Sequence, residues 1–260
     1  MSVPVSTLDH QNAKSRYETE VQKMILMYHK IDIITPSRWW VSVDRFEEQL
    51  ESLKTLNCVH LDQYEPDDVS QLVITFDDAY ENIYTHAFPV LKKKRLPFEV
   101  FVIGDLRGDW NDFDTSEVKT RFCGQRQLEE MAEGGARIQW HTKSHRRLTK
   151  LNDTELRTEL DISEELRSSF PQPHLRWFSY PYGTHDERVV GQVRKRFSGA
   201  VSVDGGSSAD PYQLNRVTAD QDWSWHPVRP DRSTASVQPR GRVTPQATTP
   251  HGGRRHLSRK

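Results

Sequence analysis

The stretch Gln71-Leu72-Val73-Ile74-Thr75-Phe76-Asp77-Asp78 constrains the fold more than any other in the chain. So short a run of apolar and β-branched residues reads as a strand buried on both faces, as in a parallel sheet covered by helices. The two carboxylates that stop it emerge at the rim of that sheet. Adjacent aspartates repel each other, so the pair is costly for stability alone and tolerable where a cation or a proton is shared. The plainer alternative is that Asp78 caps a helix beginning near Tyr80.

A second expected strand ends in the same way. Ala136-Arg137-Ile138-Gln139-Trp140 runs into His141-Thr142-Lys143-Ser144-His145. Two histidines four residues apart can converge on one ion, and imidazole suits zinc and its borderline neighbours. With Asp78 they form a set of two imidazoles and one carboxylate that leaves coordination positions for water. Histidine pairs of this spacing arise often in solvated segments; the acidic pair at another strand end gives this one its weight.

Thr75-Phe76-Asp77-Asp78, His141-Thr142-Lys143-Ser144-His145 and Tyr180-Pro181-Tyr182-Gly183, in that order, resemble the motifs of the polysaccharide deacetylases with a NodB-homology domain, carbohydrate esterase family 4. The resemblance runs over residues 23–220 and includes Ile25-Leu26-Met27-Tyr28-His29, Phe46-Glu47-Glu48-Gln49-Leu50 and Leu148-Thr149-Lys150-Leu151. It implies a distorted (β/α)7-type barrel that hydrolyses N-acetyl groups on an amino-sugar oligo- or polysaccharide. It also implies that Asp78, His141 and His145 hold one divalent metal ion, zinc foremost. By the same resemblance Asp77 is the general base and the Tyr182 N–H the oxyanion donor.

Several positions depart from that pattern. Ser179 stands where many members carry the arginine that orients the base, and Ala79 replaces the glycine after the acidic pair. No Asp-x-x-Asp-Trp motif lies near Ala200, and no Leu-x-His motif supplies the general acid; His226 is the nearest late histidine. The barrel is therefore expected to be incomplete at its C-terminal end. The alternative function is an impaired relative that binds metal and carbohydrate without efficient turnover. His29, at the first strand end, reads as a solvated neighbour of the site.

Lysine plus arginine number 36 against 37 aspartate plus glutamate, so 36 − 37 gives a net charge of −1. Near neutrality makes no general case for nucleic acid or membrane binding. A mean hydropathy of −0.78 is polar for a compact fold, so part of the chain is expected to lie outside the core. Residues 1–22 read as a flexible segment without the apolar core of a signal peptide, and no run is long enough to cross a membrane, which points to the cytoplasm. Residues 223–260 carry Arg229, Arg232, Arg240, Arg242, Arg254, Arg255, Arg259 and Lys260 against Asp231, with no helical or strand period. They read as a disordered basic tail rather than a nucleic-acid arm, because the charges are scattered without interleaved aromatics. Cys58 and Cys123 make no disulfide framework.

Between these ends, strand and helix alternate over residues 23–222. Helices are expected after Asp44, from Tyr80 with a kink at Pro89, from Gln125 to the Gly134-Gly135 stop, from Asn152 toward Pro171, and from Glu187. The polar, irregular stretch 104–124 is expected to lie over the mouth of the site.

Overall fold

The computed structural model describes residues 24–203 and 210–225. The expected flexible segment 1–22, His226 and the tail beyond Trp225 lie outside the described residues. Seven parallel strands close into a barrel. They are β1 (Met24–Tyr28), β2 (Gln71–Phe76), β3 (Phe98–Val102), β4 (Ala136–Trp140), β5 (Trp177–Ser179), β6 (Gly199–Val203) and β7 (Leu214–Thr218). β1 pairs with β2 on one side and with β7 on the other, Leu26 lying opposite Val217, and this second pairing seals the barrel.

That closure corrects the expectation of a barrel incomplete at its C-terminal end. β7 escaped the sequence reading because Leu214-Asn215-Arg216-Val217-Thr218 lacks a clean apolar alternation. Its Arg216 is buried at 1% exposure because a carboxylate waits for it inside the barrel.

The pleat divides each strand's residues between two cores. Ile25, Val73, Phe101, Trp177, Val201 and Leu214 form an inner cluster within the barrel. Leu26, Ile74, Val100, Ile138, Phe178 and Ala200 belong to the larger cluster beneath the helices. Each fully buried Leu, Val or Phe contributes about 1.5–3 kcal/mol, so this double burial dominates the stability of the fold.

The helices follow the expected order with local differences. α1 (Val43–Ser52) is capped by Ser42, whose Oγ accepts from the Arg45 N–H, so Asp44 sits in the first turn rather than at the cap. Phe46 and Leu50 face inward as expected. A π-helical turn, Ile83–Ala87, precedes α2 (Phe88–Lys94); Pro89 has no N–H to return to the preceding turn, which favours the wider winding. α3 (Gln125–Glu133) ends at Gly134-Gly135, with Gly135 at φ 109°. The single helix expected after Asn152 is two, α4 (Asp153–Leu160) and α5 (Glu164–Ser169), because the Ser163 Oγ accepts from the Leu166 N–H and starts a new helix. α6 (Glu187–Val193) completes the set.

Beyond β7, Arg45 and Gln49 of α1 donate to the Trp223 carbonyl at 2.8 and 3.0 Å, fastening the chain there to the helix layer. Both cysteines are free thiols. Among the described residues no helix is long and apolar enough to cross a membrane.

Candidate active site

In a parallel barrel the strand ends share one pole, and the loops that leave them can bring distant residues together. Asp77 and Asp78 follow β2, His141 follows β4, Tyr182 follows β5 and His29 follows β1. The Asp77 N–H donates to the Tyr28 carbonyl at 3.0 Å and the His141 N–H to the Val102 carbonyl at 2.9 Å, so sheet register sets their height. All five expected site residues, Asp77, Asp78, His141, His145 and Tyr182, meet at this pole.

Asp78, His141 and His145 are buried and offer ligand atoms within 4.8 Å of one another. The Asp78 Oδ1 lies 3.3 Å from His141 Nε2 and 3.4 Å from His145 Nε2. It has no hydrogen-bond partner. A buried carboxylate oxygen left unpartnered costs at least about 1–3 kcal/mol, and one oxygen facing two imidazole nitrogens is a donor set that suits a divalent cation.

The His141 Nδ1 lies 2.8 Å from the Ser179 carbonyl, which can only accept, so Nδ1 carries a proton and Nε2 is the nitrogen turned toward Asp78. Burial opposes a charge on His141, but the carboxylates of Asp77 and Asp78 outweigh it and raise its pKa. Burial lowers His145 to about 4, leaving it neutral near pH 7. Burial would raise Asp78, yet His145 and His141 together hold it below the ordinary carboxylate range.

The backbone is strained around the same point. Asp78, Ala79, Thr142, His145 and Tyr182 all have φ between 59° and 70°. Left-handed geometry costs a non-glycine residue roughly 1–2 kcal/mol, and such strain gathers where a fold must aim particular groups.

Asp77 has a different environment. Arg216 Nη1 and Nη2 donate to its two oxygens at 2.7 and 2.6 Å. Arg216 also donates to Thr75 Oγ1 and to Ser179 Oγ, and Ser179 Oγ donates to Asp77 Oδ2 at 3.2 Å. The arginine expected to be missing at Ser179 is replaced from another strand. The correction is that β7 supplies a guanidinium, and the small Ser179 leaves it room. Burial would raise the Asp77 pKa, but Arg216 and then His141 outweigh it and hold the carboxyl at about 2.

Two further residues flank these groups: Glu159, which nothing in the sequence singles out, and His29, expected as a solvated neighbour and instead half-buried. Glu159 of α4, 4% exposed, accepts from the Lys143 and Ser144 N–H groups and from the Ser144 hydroxyl, pinning the turn between the two histidines. In sequence it is one acid among several on an amphipathic helix. His29 is half-buried, packs against Trp39 with ring centroids 4.7 Å apart, and feels the charges of Asp78 and Asp77. Only its place at a strand end distinguished it.

Fold and cluster together define an α/β barrel with its buried Asp-His-His group at the C-terminal strand ends. Residues 65–196 match the family model for polysaccharide deacetylases, and the chain belongs to that family. YxkH of Bacillus subtilis, a protein named for polysaccharide deacetylation, is 28% identical over 222 residues, covering 80% of this chain and 75% of its own. The poly-β-1,6-N-acetyl-D-glucosamine N-deacetylase of Staphylococcus epidermidis is 24% identical, covering 85% of this chain and 88% of its own. Among solved structures, the Streptococcus pyogenes deacetylase PplD superposes with a TM-score of 0.66 at 24% identity, covering 77% of this chain and 93% of its own. IcaB from Ammonifex degensii gives 0.62 at 25% identity, covering 76% and 92%.

Proposed function

We propose that this protein is a metal-dependent hydrolase that removes N-acetyl groups from an amino-sugar oligo- or polysaccharide, with Asp78, His141 and His145 holding one divalent ion, zinc foremost. The observation that carries the reading is the unpartnered Asp78 Oδ1 facing two imidazole nitrogens, beside a second carboxylate locked by Arg216. When bound, such an ion supplies Lewis acidity that polarises the acetyl carbonyl and acidifies water.

Asp77 takes the proton of the attacking water. Its ionised form is secured by Arg216, and its aim by Arg216 and Ser179. A carboxylate held at about 2 is a weak base on its own, so the chemistry needs water acidified beside it. The Tyr182 N–H is the oxyanion donor in this reading, on a turn fixed by Pro181 and by the left-handed Tyr182 backbone. In this reading His29 takes the role of a late histidine: burial lowers its pKa, so its ring starts neutral near pH 7, receives the proton that Asp77 has taken from water and gives it to the leaving amine, which returns both groups to their starting states. The Arg216 pair favours turnover over the impaired alternative, because the base keeps its guanidinium.

The relative from S. epidermidis is named for a β-1,6-linked polymer, so β-1,6-linked N-acetylglucosamine oligomers of graded length head the substrate series. Acetate release should stop on chelation and return with zinc. Release that persists without metal contradicts the proposed ion. A metal-loaded protein that releases acetate from none of the oligomers supports the impaired alternative.

A further inference from the structure

His141 and His145 are oriented by different means. His141 is fixed by its Nδ1–H donating to the Ser179 carbonyl. The corresponding atom of His145, Nδ1, is buried and has no hydrogen-bond partner. Metal-ligating histidines ordinarily donate that second N–H to a fixed acceptor, which sets the ring's direction. Among the described residues, packing alone meets the ring on its Nδ1 side, while Nε2 faces Asp78. The Phe113 ring stacks on it with centroids 4.5 Å apart and planes 29° apart, and Tyr182 lies 4.7 Å away at 59°.

Phe113 is itself held by a built support. Its loop is closed by Asn111, which is 2% exposed, donates to the Val118 carbonyl and accepts from the Thr120 N–H. Glu117, four residues beyond Phe113, enters the protein and accepts from Lys30 Nζ at 3.1 Å and from Trp40 Nε1 at 2.9 Å. Both members of this ion pair are nearly inaccessible, at 2% and 6% side-chain exposure. Lys30 also lies 4.2 Å over the Tyr80 ring, Tyr80 stacks on Phe122 at 4.8 Å, and Phe122 lies parallel to Phe113. Loss of Glu117 would leave Lys30 buried without its partner, so the pair anchors this loop firmly to the barrel.

We infer that the Lys30–Glu117 pair and Phe113 form a clasp whose task is to hold the His145 ring in its ligating orientation. Phe113 and Glu117 are thus positioning residues for metal binding, acting through His145. The inference rests on the proposed metal site.

The test is zinc affinity of the apo protein, measured by competition with a chromophoric chelator, beside the thermal midpoint of each apo variant. Phe113→Ala should weaken zinc binding on the order of 10-fold, the low end for loss of a group that orients a ligand. Phe113→Tyr, which keeps the flat ring, should restore wild-type affinity. Glu117→Gln should shift affinity in the same direction, and Phe113→Leu should fall between alanine and wild type. The apo midpoint of Phe113→Ala should stay close to wild type, since Phe113 is only half-buried. If Phe113→Ala and Phe113→Leu both bind zinc as wild type does and only the Michaelis constant rises, the loop is a substrate wall and the inference is overturned. His145→Ala separates the two levels: if it binds zinc as tightly as wild type, the metal-site reading has failed rather than the clasp.

Discussion

The barrel carries buried carboxylates at both poles, one at the N-terminal and a pair at the C-terminal, and the two sites are built differently. At the N-terminal pole Glu99, fully buried, accepts from the Leu61 N–H, from the His60 ring and from Gln139 Nε2, so both oxygens are occupied. At the C-terminal pole Asp77 is equally well satisfied, but its neighbour Asp78 keeps one oxygen without a partner. Five left-handed non-glycine residues surround that atom. The others are Arg95, which closes α2, and Leu175, which precedes β5. The Glu99 carboxylate, fully partnered, contributes to folding, with left-handed Arg95 and Leu175 at its pole against five such residues around Asp78. The oxygen left unpartnered amid strain is the one that the proposed metal ion would satisfy.

The largest effect on stability should come from Arg216. Arg216→Met leaves Asp77 buried without its partner, a change that costs about 3–5 kcal/mol in comparable pairs. The double variant Asp77→Asn with Arg216→Met should recover much of that loss in urea unfolding. Additive losses would show that the pair is not coupled. The same pairing has a pH signature. Because the folded-state pKa of Asp77 is depressed to about 2 from 3.8, its stabilising contribution is full above about pH 4 and lost as pH falls toward 2. Asp77→Asn should flatten that part of the stability profile.

Next in size are His29 and Glu99, one from each pole. His29→Gln should lower turnover on the order of 10²-fold while zinc content is unchanged, as expected of a proton carrier that is not a ligand. Glu99→Gln should cost about 1–3 kcal/mol of stability and leave zinc content and turnover of the folded protein as they are. If Glu99→Gln strips zinc, the two poles are not independent.

The smallest effect should come from Ala79→Gly. Ala79 holds φ 60°, and glycine removes a strain of roughly 1–2 kcal/mol while adding backbone entropy to the unfolded chain. A gain below about 1 kcal/mol is expected, and a loss would mean that the Ala79 methyl packs to more effect than its strain costs.

What the sequence disclosed follows from these differences. Strand ends that run straight from apolar to ligand residues, as at Asp77-Asp78 and His141, are visible because both signals are local. Arg216 was invisible because its meaning depends on Asp77, 139 positions away, and nothing local distinguishes an inward arginine from a solvated one. Glu159 was hidden for the same reason. Phe113 lies in the irregular stretch 104–124, but that it faces His145 depends on the hydrogen bonds of Asn111, on Phe122 and on the Lys30–Glu117 pair, none of which is a local signal. The break between α4 and α5 turned on a single serine cap whose competing pattern, a continuous apolar face, was the stronger local signal.

The two aspartates after β2 lie side by side and are assigned opposite tasks, so metal content in Asp77→Asn and Asp78→Asn tests the account most directly. Asp78→Asn should lose the ion and hydrolysis together, because a neutral amide replaces a carboxylate ligand poorly. Asp77→Asn should retain about one zinc per chain and lose turnover by on the order of 10²–10⁴-fold. An Asp77→Asn protein that binds no zinc, beside an Asp78→Asn protein that does, would contradict the assignment.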